Sequence, residues 1–253
     1  MRMTGRTAIV TGGAAGIGEA IATLIAEEGG SVLIADRDEA GGEAAARAIR
    51  EKGGRASFVR TDVSDEDQVR RMRDACVAEF GTIDVLVNNA AVFVLKGVDA
   101  SVEDWNRSFG INVVGNALCT RYVSEVMKEK GKGAIVNLSS ISAFIAQPGF
   151  VTYSATKAAI LQMTRNQALD LAPFGIRVNC VCPATILTRA SYDHMERMGQ
   201  SIDDFQAEQA LLHPIGRVGL PREVAYPVVF LASDEASFIT GTHLMVDGGY
   251  TSI

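Results

Sequence analysis

A tyrosine and a lysine four residues apart, Tyr153 and Lys157, are the residues of this sequence best suited to proton transfer. If their segment is helical, residues at this spacing share one face, so that the phenol and the ammonium are neighbours. A free phenol has a pKa of about 10, too high for easy proton exchange near neutrality, and an adjacent cation lowers it. The pair therefore predicts a general acid/base, although the spacing alone fits two surface residues equally well.

A glycine-rich stretch at residues 11–18 has the composition of a dinucleotide-binding turn. It follows an apolar run at 7–10 that is typical of a buried strand, and it precedes an apolar pattern with helical period. Gly12, Gly16 and Gly18 allow the backbone to turn tightly and to approach a pyrophosphate. The unpaired N–H groups at the start of the following helix attract the negative charge of the phosphates.

An acidic residue at the end of the second predicted strand, Asp36, bears on which dinucleotide binds. A carboxylate here can accept hydrogen bonds from the adenosine ribose hydroxyls. It also repels a 2′-phosphate, at a cost on the order of a few kcal/mol for charges a few ångströms apart. Ala15 supplies no basic side chain that would hold such a phosphate. We therefore expect NAD to be preferred over NADP, with Arg37 as the residue that would favour NADP.

Apolar runs and amphipathic segments alternate along the rest of the chain. Further strands are predicted at 31–35, 56–59, 84–87, 134–138 and 177–181, with helices between them that begin at the stretch 64–67, which resembles a capping box, and at Ser101 with Asp104. Such alternation predicts right-handed βαβ units. We expect an α/β fold, a single domain at 1–253 with a doubly wound parallel sheet of Rossmann type and helices on both faces. Its ligand crevice lies beyond the carboxyl ends of the strands.

Length, charge and composition exclude several other classes. The 253 residues suit one α/β domain, and the net charge of −6, without a Lys/Arg block, argues against nucleic acid or a membrane as partner. No leader is evident and no apolar run approaches the ~18 residues of a membrane span, so we expect a soluble cytoplasmic protein with a small-molecule partner. The four cysteines and three histidines have the spacing of neither a zinc site nor a disulfide framework, and no metal is expected.

Two segments after Lys157 bear on assembly and on substrate. The helix that carries Lys157 is apolar on more than one side up to Pro173, which favours a helix–helix contact between subunits. The long stretch at about 189–213 predicts a substrate lid. Gln147 and His194 are candidate polar ligands of the substrate, although His194 is equally explained as a solvated lid residue. Arg189 is a further polar candidate. The other candidate pocket residues are mostly apolar, among them Val92, Phe93, Val94, the stretch 141–143, Phe150, Ile186, Leu187, Tyr192, Met195 and Met198.

Together these motifs resemble the short-chain dehydrogenase/reductase family over nearly the whole chain. The matching positions are Thr11-Gly12-x-x-x-Gly16-Ile17-Gly18, Asp62-Val63, Asn88-Asn89-Ala90, Asn112, Ser140, Tyr153-x-x-x-Lys157, Pro183 with Thr188, and Val246-Asp247-Gly248-Gly249. Ala91 and Ala184 depart from the family pattern, because glycine is usual at both positions. Each adds a methyl group near the expected nicotinamide pocket, and neither removes a catalytic group.

The resemblance implies a role for each matching residue. Tyr153 is expected to be the general acid/base, and Ser140 to orient the substrate oxygen. Lys157 is expected to lower the tyrosine pKa and to bind the nicotinamide ribose, and Asn112 to hold a water linked to Lys157. The implied cofactor contacts are Gly12, Gly16, Ile17, Gly18, Asp36 and Arg37, with Asp62 and Val63 at the adenine, Asn89 and Ala90 beside a ribose, and Ile186 and Thr188 at the carboxamide.

The activity implied by the resemblance is hydride transfer between a secondary alcohol and a nicotinamide cofactor. The substrate is left open among polyols, sugars, hydroxy acids and cyclic alcohols. An NAD-dependent alcohol dehydrogenase working toward oxidation is expected first, and an NADP-dependent carbonyl reductase is the alternative. A third possibility is a catalytically silent nucleotide-binding scaffold, but the chain keeps all four expected catalytic residues, Asn112, Ser140, Tyr153 and Lys157. A homotetramer is common in the family and agrees with the apolar helix after Lys157.

Overall fold

A parallel sheet organises the computed structural model, which describes residues 1–252 except for the side chains of Ala190, Asp193, His194 and Arg197. Its strands are β1 (Thr7–Thr11), β2 (Ser31–Asp36), β3 (Arg55–Arg60), β4 (Val85–Asn88), β5 (Gly133–Leu138), β6 (Ile176–Pro183) and β7 (His243–Val246). They lie in the order β3-β2-β1-β4-β5-β6-β7, and each neighbouring pair is parallel. This confirms the predicted doubly wound α/β sheet.

Helices cover both faces of the sheet. They are α1 (Gly16–Glu27), α2 (Glu39–Glu51), α3 (Glu66–Phe80), α4 (Val102–Phe109), α5 (Gly115–Lys130), α6 (Val151–Leu171), α7 (Arg189–Met198), α8 (Ile202–Leu212) and α9 (Pro221–Ala232). One apolar core lies between the sheet and α1, α2 and α9, and a second lies between the other face and α3, α5 and α6. Because both faces are covered, β1 is buried along its whole length and is recognisable in the sequence as an apolar run. Among the described residues no helix is long and apolar enough to cross a membrane.

The direction of strand progression reverses between β1 and β4, which opens a crevice at the carboxyl edge of the sheet. The glycine turn leaves β1 at this edge, and Asp36 ends β2. Asn89 directly follows β4, and Ser140 follows β5 after one residue. The strand ends therefore deliver these polar and glycine positions to one crevice, as the alternating pattern predicts.

The start of α3 differs from the predicted capping box. Asp65, not Ser64, caps the helix, and its carboxylate accepts the N–H groups of Asp67 and Gln68 at 3.0 and 3.1 Å. Ser64 lies one residue before the cap, and its hydroxyl donates to the Asp62 carboxylate at 2.6 Å. At α4 the predicted cap is present, with Ser101 and Asp104 in a reciprocal capping box.

Two later elements refine the sequence analysis. β7 was not predicted as a strand, because it is a four-residue edge strand whose residues are only partly buried. The stretch predicted as a lid consists of two helices, α7 and α8. The ends of this helical pair are held close together, since Ile186 pairs with Gly219 in an isolated parallel bridge.

Candidate active site

The turn between β1 and α1 is built so that side chains are excluded from it. Gly12 and Gly16 have φ angles of 65° and 60°, in the left-handed region that glycine favours. A methyl group on Gly18 would lie 2.0 Å from the Gly12 carbonyl oxygen. The residue before α1, Ala15, makes no side-chain cap, so the first helical N–H groups remain available to an anion. These features fit the pyrophosphate of a dinucleotide.

Asn89 braces this turn against the end of β4. Its amide donates to the carbonyl oxygens of Thr11 and Gly12 at 3.0 and 2.8 Å. The Thr11 hydroxyl in turn accepts the N–H groups of Asn89 and Ala90 at 3.1 and 3.2 Å. Ala90 lies so close that a methyl group on Gly12 would approach its Cα to 2.8 Å. Asn89 and Ala90, expected beside a cofactor ribose, thus also shape the glycine turn.

Asp36 points its carboxylate toward the glycine turn. It is half-buried, and its two oxygens accept the N–H groups of Ala14 at 3.1 Å and Asp38 at 3.0 Å. Arg37, next in the chain, is exposed. The carboxylate is therefore held at the rim of the crevice by two backbone donors, where it presents negative charge to any group bound beside the turn.

The two residues expected at the adenine, Asp62 and Val63, lie in the turn that follows β3. The Asp62 carboxylate accepts both the N–H and the hydroxyl of Ser64. Val63 is buried, and a methyl group on Gly115 would lie 2.7 Å from one of its methyl carbons. Val63 is thus packed against the start of α5 on the inner side of the crevice.

Tyr153 and Lys157 lie on one face of α6 and are almost completely buried, with 6% and 3% of their surfaces exposed. The Lys157 Nζ is 5.5 Å from the centroid of the Tyr153 ring and donates to the Leu138 carbonyl at 2.8 Å. The Lys157 carbonyl accepts the hydroxyl of Ser139 at 2.7 Å. Both ends of this lysine are therefore tied to the end of β5, which fixes the tyrosine one helical turn away.

Burial disfavours the charged form of both groups. It raises the pKa of Tyr153 above its usual value, and the nearby Ser140 hydroxyl offsets part of that rise. It lowers the pKa of Lys157 to about 8, with the Cys180 and Cys182 thiols opposing the change. The tyrosine pKa thus moves opposite to the direction expected from the spacing, because burial of the phenol outweighs the effect of the ammonium, whose Nζ is 5.5 Å from the ring centroid.

Ser140 begins a chain of buried hydroxyl groups. Its oxygen accepts the N–H of Ser142 at 3.1 Å, and its hydroxyl donates to the Ser142 Oγ at 3.2 Å. The Ser142 hydroxyl donates to the Gln147 Oε1 at 2.6 Å. Gln147 is therefore left with N–H donors for a ligand. Ser142 belongs to the candidate pocket stretch 141–143, and the structure links its hydroxyl to both Ser140 and Gln147.

Asn112 lies in a π-helical turn, Gly110–Val114, between α4 and α5. Its side chain is buried, accepts the Val92 N–H at 2.7 Å, and donates to the Val92 carbonyl and to the Thr156 hydroxyl, both at 3.1 Å. The amide thus joins the loop after β4 to α6, one residue before Lys157. Its expected link to Lys157 through water stays a prediction.

An aromatic ring from the loop after β4 lies on the tyrosine. The rings of Phe93 and Tyr153 are stacked, with centroids 4.9 Å apart and an interplanar angle of 19°. Phe150 meets Tyr153 edge-on, with centroids 6.1 Å apart. The phenol therefore lies in an aromatic and apolar surround, which agrees with its burial.

The residues just before the lid lie across from the glycine turn. Ile186 is buried, and a Cβ on Gly16 would be 3.4 Å from the Thr188 methyl group. A cavity of about 500 Å³ separates the turn from α7, and Gly16, Thr188, Arg189 and Tyr192 contribute to its lining. The side chain of His194, predicted as a substrate ligand, lies outside the described residues.

Known proteins match the chain over nearly its whole length. A family model described as enoyl-(acyl carrier protein) reductase matches residues 12–251. The chain is 44% identical over 254 residues to a cyclopentanol dehydrogenase of Comamonas sp. (strain NCIMB 9872), with 99% of both chains covered. It is 44% identical over 250 residues to a cis-4-hydroxycyclohexanecarboxylate dehydrogenase of Sinomonas cyclohexanicum, covering 98% of this chain and 97% of the relative. It is 38% identical over 262 residues to an NADP-dependent (R)-specific alcohol dehydrogenase of Lentilactobacillus kefiri, covering 99% and 98%.

Proposed function

The chain belongs to the short-chain dehydrogenase/reductase family, and we propose that it is an NAD-dependent oxidoreductase that interconverts a secondary alcohol and its ketone. The observation that carries this proposal is the buried group of Tyr153, Lys157 and Ser140 beside the glycine turn. A proton carrier and a dinucleotide turn in one crevice are the two parts that alcohol oxidation by hydride transfer requires.

The cofactor fits the residues at the carboxyl edge of the sheet. When bound, its nicotinamide exchanges a hydride with the carbinol carbon of the substrate. The glycine turn excludes side chains from the space that a pyrophosphate needs, and it leaves the α1 N–H groups unpaired. The residues that we propose to hold the cofactor are Gly12, Gly16, Ile17, Gly18, Asp36, Arg37, Asp62, Val63, Asn89, Ala90, Tyr153, Lys157, Ile186 and Thr188.

Residues of the chain itself transfer the proton of the substrate hydroxyl. Tyr153 takes the hydroxyl proton of an alcohol or returns one to a ketone, and Ser140 donates a hydrogen bond to the same substrate oxygen. Because burial raises the pKa of Tyr153, the phenol form is the stable one in the protein alone. Alcohol oxidation requires the phenolate, which the Lys157 ammonium beside the ring favours. Asn112 is proposed to complete the group by holding a water that links Lys157 to solvent.

The choice of NAD over NADP is supported by Asp36. Its carboxylate is held at the rim of the crevice by two backbone N–H groups, where it repels a 2′-phosphate and can accept bonds from ribose hydroxyls. The alternative is an NADP-dependent carbonyl reductase. That alternative is favoured by the exposed Arg37 and by the NADP-dependent relative from Lentilactobacillus kefiri.

The substrate that we propose first is an alicyclic secondary alcohol. Two relatives at 44% identity are named for cyclopentanol and for a hydroxycyclohexanecarboxylate. The aromatic rings that surround the Tyr153 phenol offer an apolar surface to a carbon ring. Gln147, with its N–H donors free of Ser142, is proposed to contact a polar group on the substrate, and His194 in the lid is the second candidate.

Turnover by a Tyr153→Phe variant tests the proposed chemistry. Wild-type protein is expected to form NADH from cyclic secondary alcohols in a panel that also contains polyols, sugars and hydroxy acids. Tyr153→Phe is expected to abolish this turnover and to leave NADH binding within about a few-fold, because only the proton carrier is lost. Tyr226→Phe, at an exposed position on α9, is the matched control. Activity retained by Tyr153→Phe would contradict the role assigned to the phenol.

The segment at about 189–213 is proposed to act as a lid within a single domain at 1–253. Backbone bonds between residues 185–187 and Gly219 bring the two ends of the segment together, and α7 and α8 lie between them. Such a pinned helical pair can move as a unit over the crevice. Arg189, the first lid residue, lines the cavity next to the glycine turn together with the preceding Thr188.

Assembly and location complete the proposal. Leu169 on α6 is exposed, which supports a helix–helix contact between subunits in a homotetramer. The four cysteines are free and buried, which agrees with a reducing cytoplasm. Size-exclusion chromatography with light scattering checks the assembly, and a monomer at micromolar concentration would contradict it.

A further inference from the structure

We propose that Phe93 determines the substrate specificity of this pocket. Its ring forms the wall against which the body of a cyclic alcohol lies while the alcohol oxygen meets Tyr153. The inference rests on the proposed function, since it concerns the substrate of the same tyrosine. It adds a residue whose side chain selects ring-shaped substrates over small acyclic ones.

The backbone on both sides of Phe93 is held by buried side chains. Both polar groups of the Val92 backbone are bonded to the Asn112 amide, at 2.7 and 3.1 Å. The Val94 carbonyl accepts the hydroxyl of Thr152 on α6. Asn112 and Thr152 are 1% and 0% exposed, so water does not compete for these bonds. The direction in which residue 93 leaves the backbone is therefore set by the fold, although the loop has no regular secondary structure.

The Phe93 ring is covered on one side only. One face is stacked on Tyr153, yet 55% of the residue is exposed. An aromatic residue that served only to pack the interior would be covered on both faces. The exposed part of the ring is the part that Tyr153 does not cover. Because the two rings are in contact, a substrate whose hydroxyl reaches the phenol carries its carbon body past Phe93. A flat, apolar wall gains most contact with a carbon ring and least with a two-methyl alcohol.

Oxidation of cyclopentanol and of 2-propanol by Phe93 variants tests this role. Phe93→Ala is expected to lower kcat/KM for cyclopentanol about tenfold more than for 2-propanol, mainly through KM, which corresponds to about 1.4 kcal/mol at 25 °C. Phe93→Tyr keeps a stacked ring and is expected to keep the wild-type preference within about twofold. Val98→Ala, at a position 98% exposed on the same loop, is the control for the substitution itself.

A binding measurement distinguishes contact between Phe93 and the substrate from an effect of Phe93 on the oxidation step. Cyclopentanol and NADH cannot react with each other, so their joint binding, followed by NADH fluorescence, reports contact without turnover. We expect Phe93→Ala to weaken cyclopentanol binding about tenfold and NADH binding less than twofold. Equal losses for both alcohols would overturn the proposal, because Phe93 would then only support Tyr153, and so would unchanged kinetics. Failure of the proposed function looks different: the wild-type protein then neither oxidises these alcohols nor binds cyclopentanol on its NADH complex.

Discussion

Replacement of the buried Lys157 by methionine is expected to stabilise the fold while it abolishes turnover. Burial lowers the pKa of this lysine to about 8. Compared with an ordinary lysine pKa of about 10.4, this corresponds to about 3 kcal/mol by which folding disfavours the charged side chain at neutral pH. Methionine has a similar length and no charge, so it removes that cost from the folded protein.

The substitution also removes a hydrogen bond. The Lys157 Nζ donates to the Leu138 carbonyl at 2.8 Å, and loss of a bond from a charged donor costs about 2 kcal/mol. The net gain at pH 7 is therefore about 1 kcal/mol. For a chain of this size that corresponds to a rise in Tm of about 2–4 °C.

The stability difference between the wild-type protein and Lys157→Met depends on pH, because the pKa of Lys157 is lower in the folded chain than in the unfolded one. Between about pH 8 and pH 10.4 the unfolded chain holds the lysine proton and the folded chain does not, so wild-type stability from this group rises with pH. Cys76 and Cys119 act in the opposite direction, because burial raises the pKa of both thiols to about 12. They titrate in both proteins and cancel in the comparison. The advantage of Lys157→Met should thus be largest below pH 8 and disappear near pH 10.

Urea unfolding followed by circular dichroism at pH 7, 8.5 and 10 measures this difference. Protein concentration must be equal for the two proteins, because subunit association contributes to apparent stability. Stability at pH 7 no higher than that of the wild-type protein would refute the reasoning, and so would an advantage that is independent of pH. Either result would mean that the lysine is solvated or paired in solution and carries no burial cost.

The remaining predictions concern the cofactor crevice. Asp36→Ala should raise kcat/KM with NADP relative to NAD by on the order of tenfold or more, because it removes the negative charge that repels the 2′-phosphate. Arg37→Ala in the same background should reverse part of this gain. An unchanged cofactor ratio would contradict the role of Asp36. Gly18→Ala should weaken NAD binding at least about tenfold and lower Tm, since its methyl group would lie 2.0 Å from the Gly12 carbonyl oxygen. Gly110→Ala is the control, because no atom lies within 4 Å of the added methyl group, and isothermal titration with thermal unfolding compares the two.

The strands that form the crevice were predictable because they are buried on both faces. β1 and β5 each contain a buried apolar run, Ala8–Val10 and Ala134–Val136, and their polar successors, the glycine turn and Ser140, mark the carboxyl edge. β7 has a weaker signal, since it is only four residues long and its apolar residues 244–246 are incompletely buried. The cap at α3 was misplaced by one residue because the local sequence offers two acceptors, and only the bonds that Asp65 accepts from Asp67 and Gln68 show which of them caps the helix.

The sequence predicted which residues form the candidate site, but it did not predict the hydrogen bonds that hold them. Spacing on a helix brings Tyr153 and Lys157 together, and the structure agrees. Sequence could not show that Lys157 donates to Leu138, because that bond depends on how α6 packs on β5. The partners of Asn112 were likewise not predictable, because its amide bonds Val92 and Thr156, which lie 20 and 44 residues away in the chain.

The hydrogen bonds that hold the backbone on both sides of residue 93 bear on how the substrate range of this enzyme can evolve. Asn112 and Thr152 hold residues 92 and 94 only through backbone atoms, and none of these atoms belongs to residue 93. A mutation at codon 93 therefore alters the wall beside the tyrosine without loosening the frame that carries it. Insertions or deletions in this loop would break the same frame. New substrate ranges should thus arise here by single substitutions, and a library restricted to this one codon is an economical starting point for directed evolution.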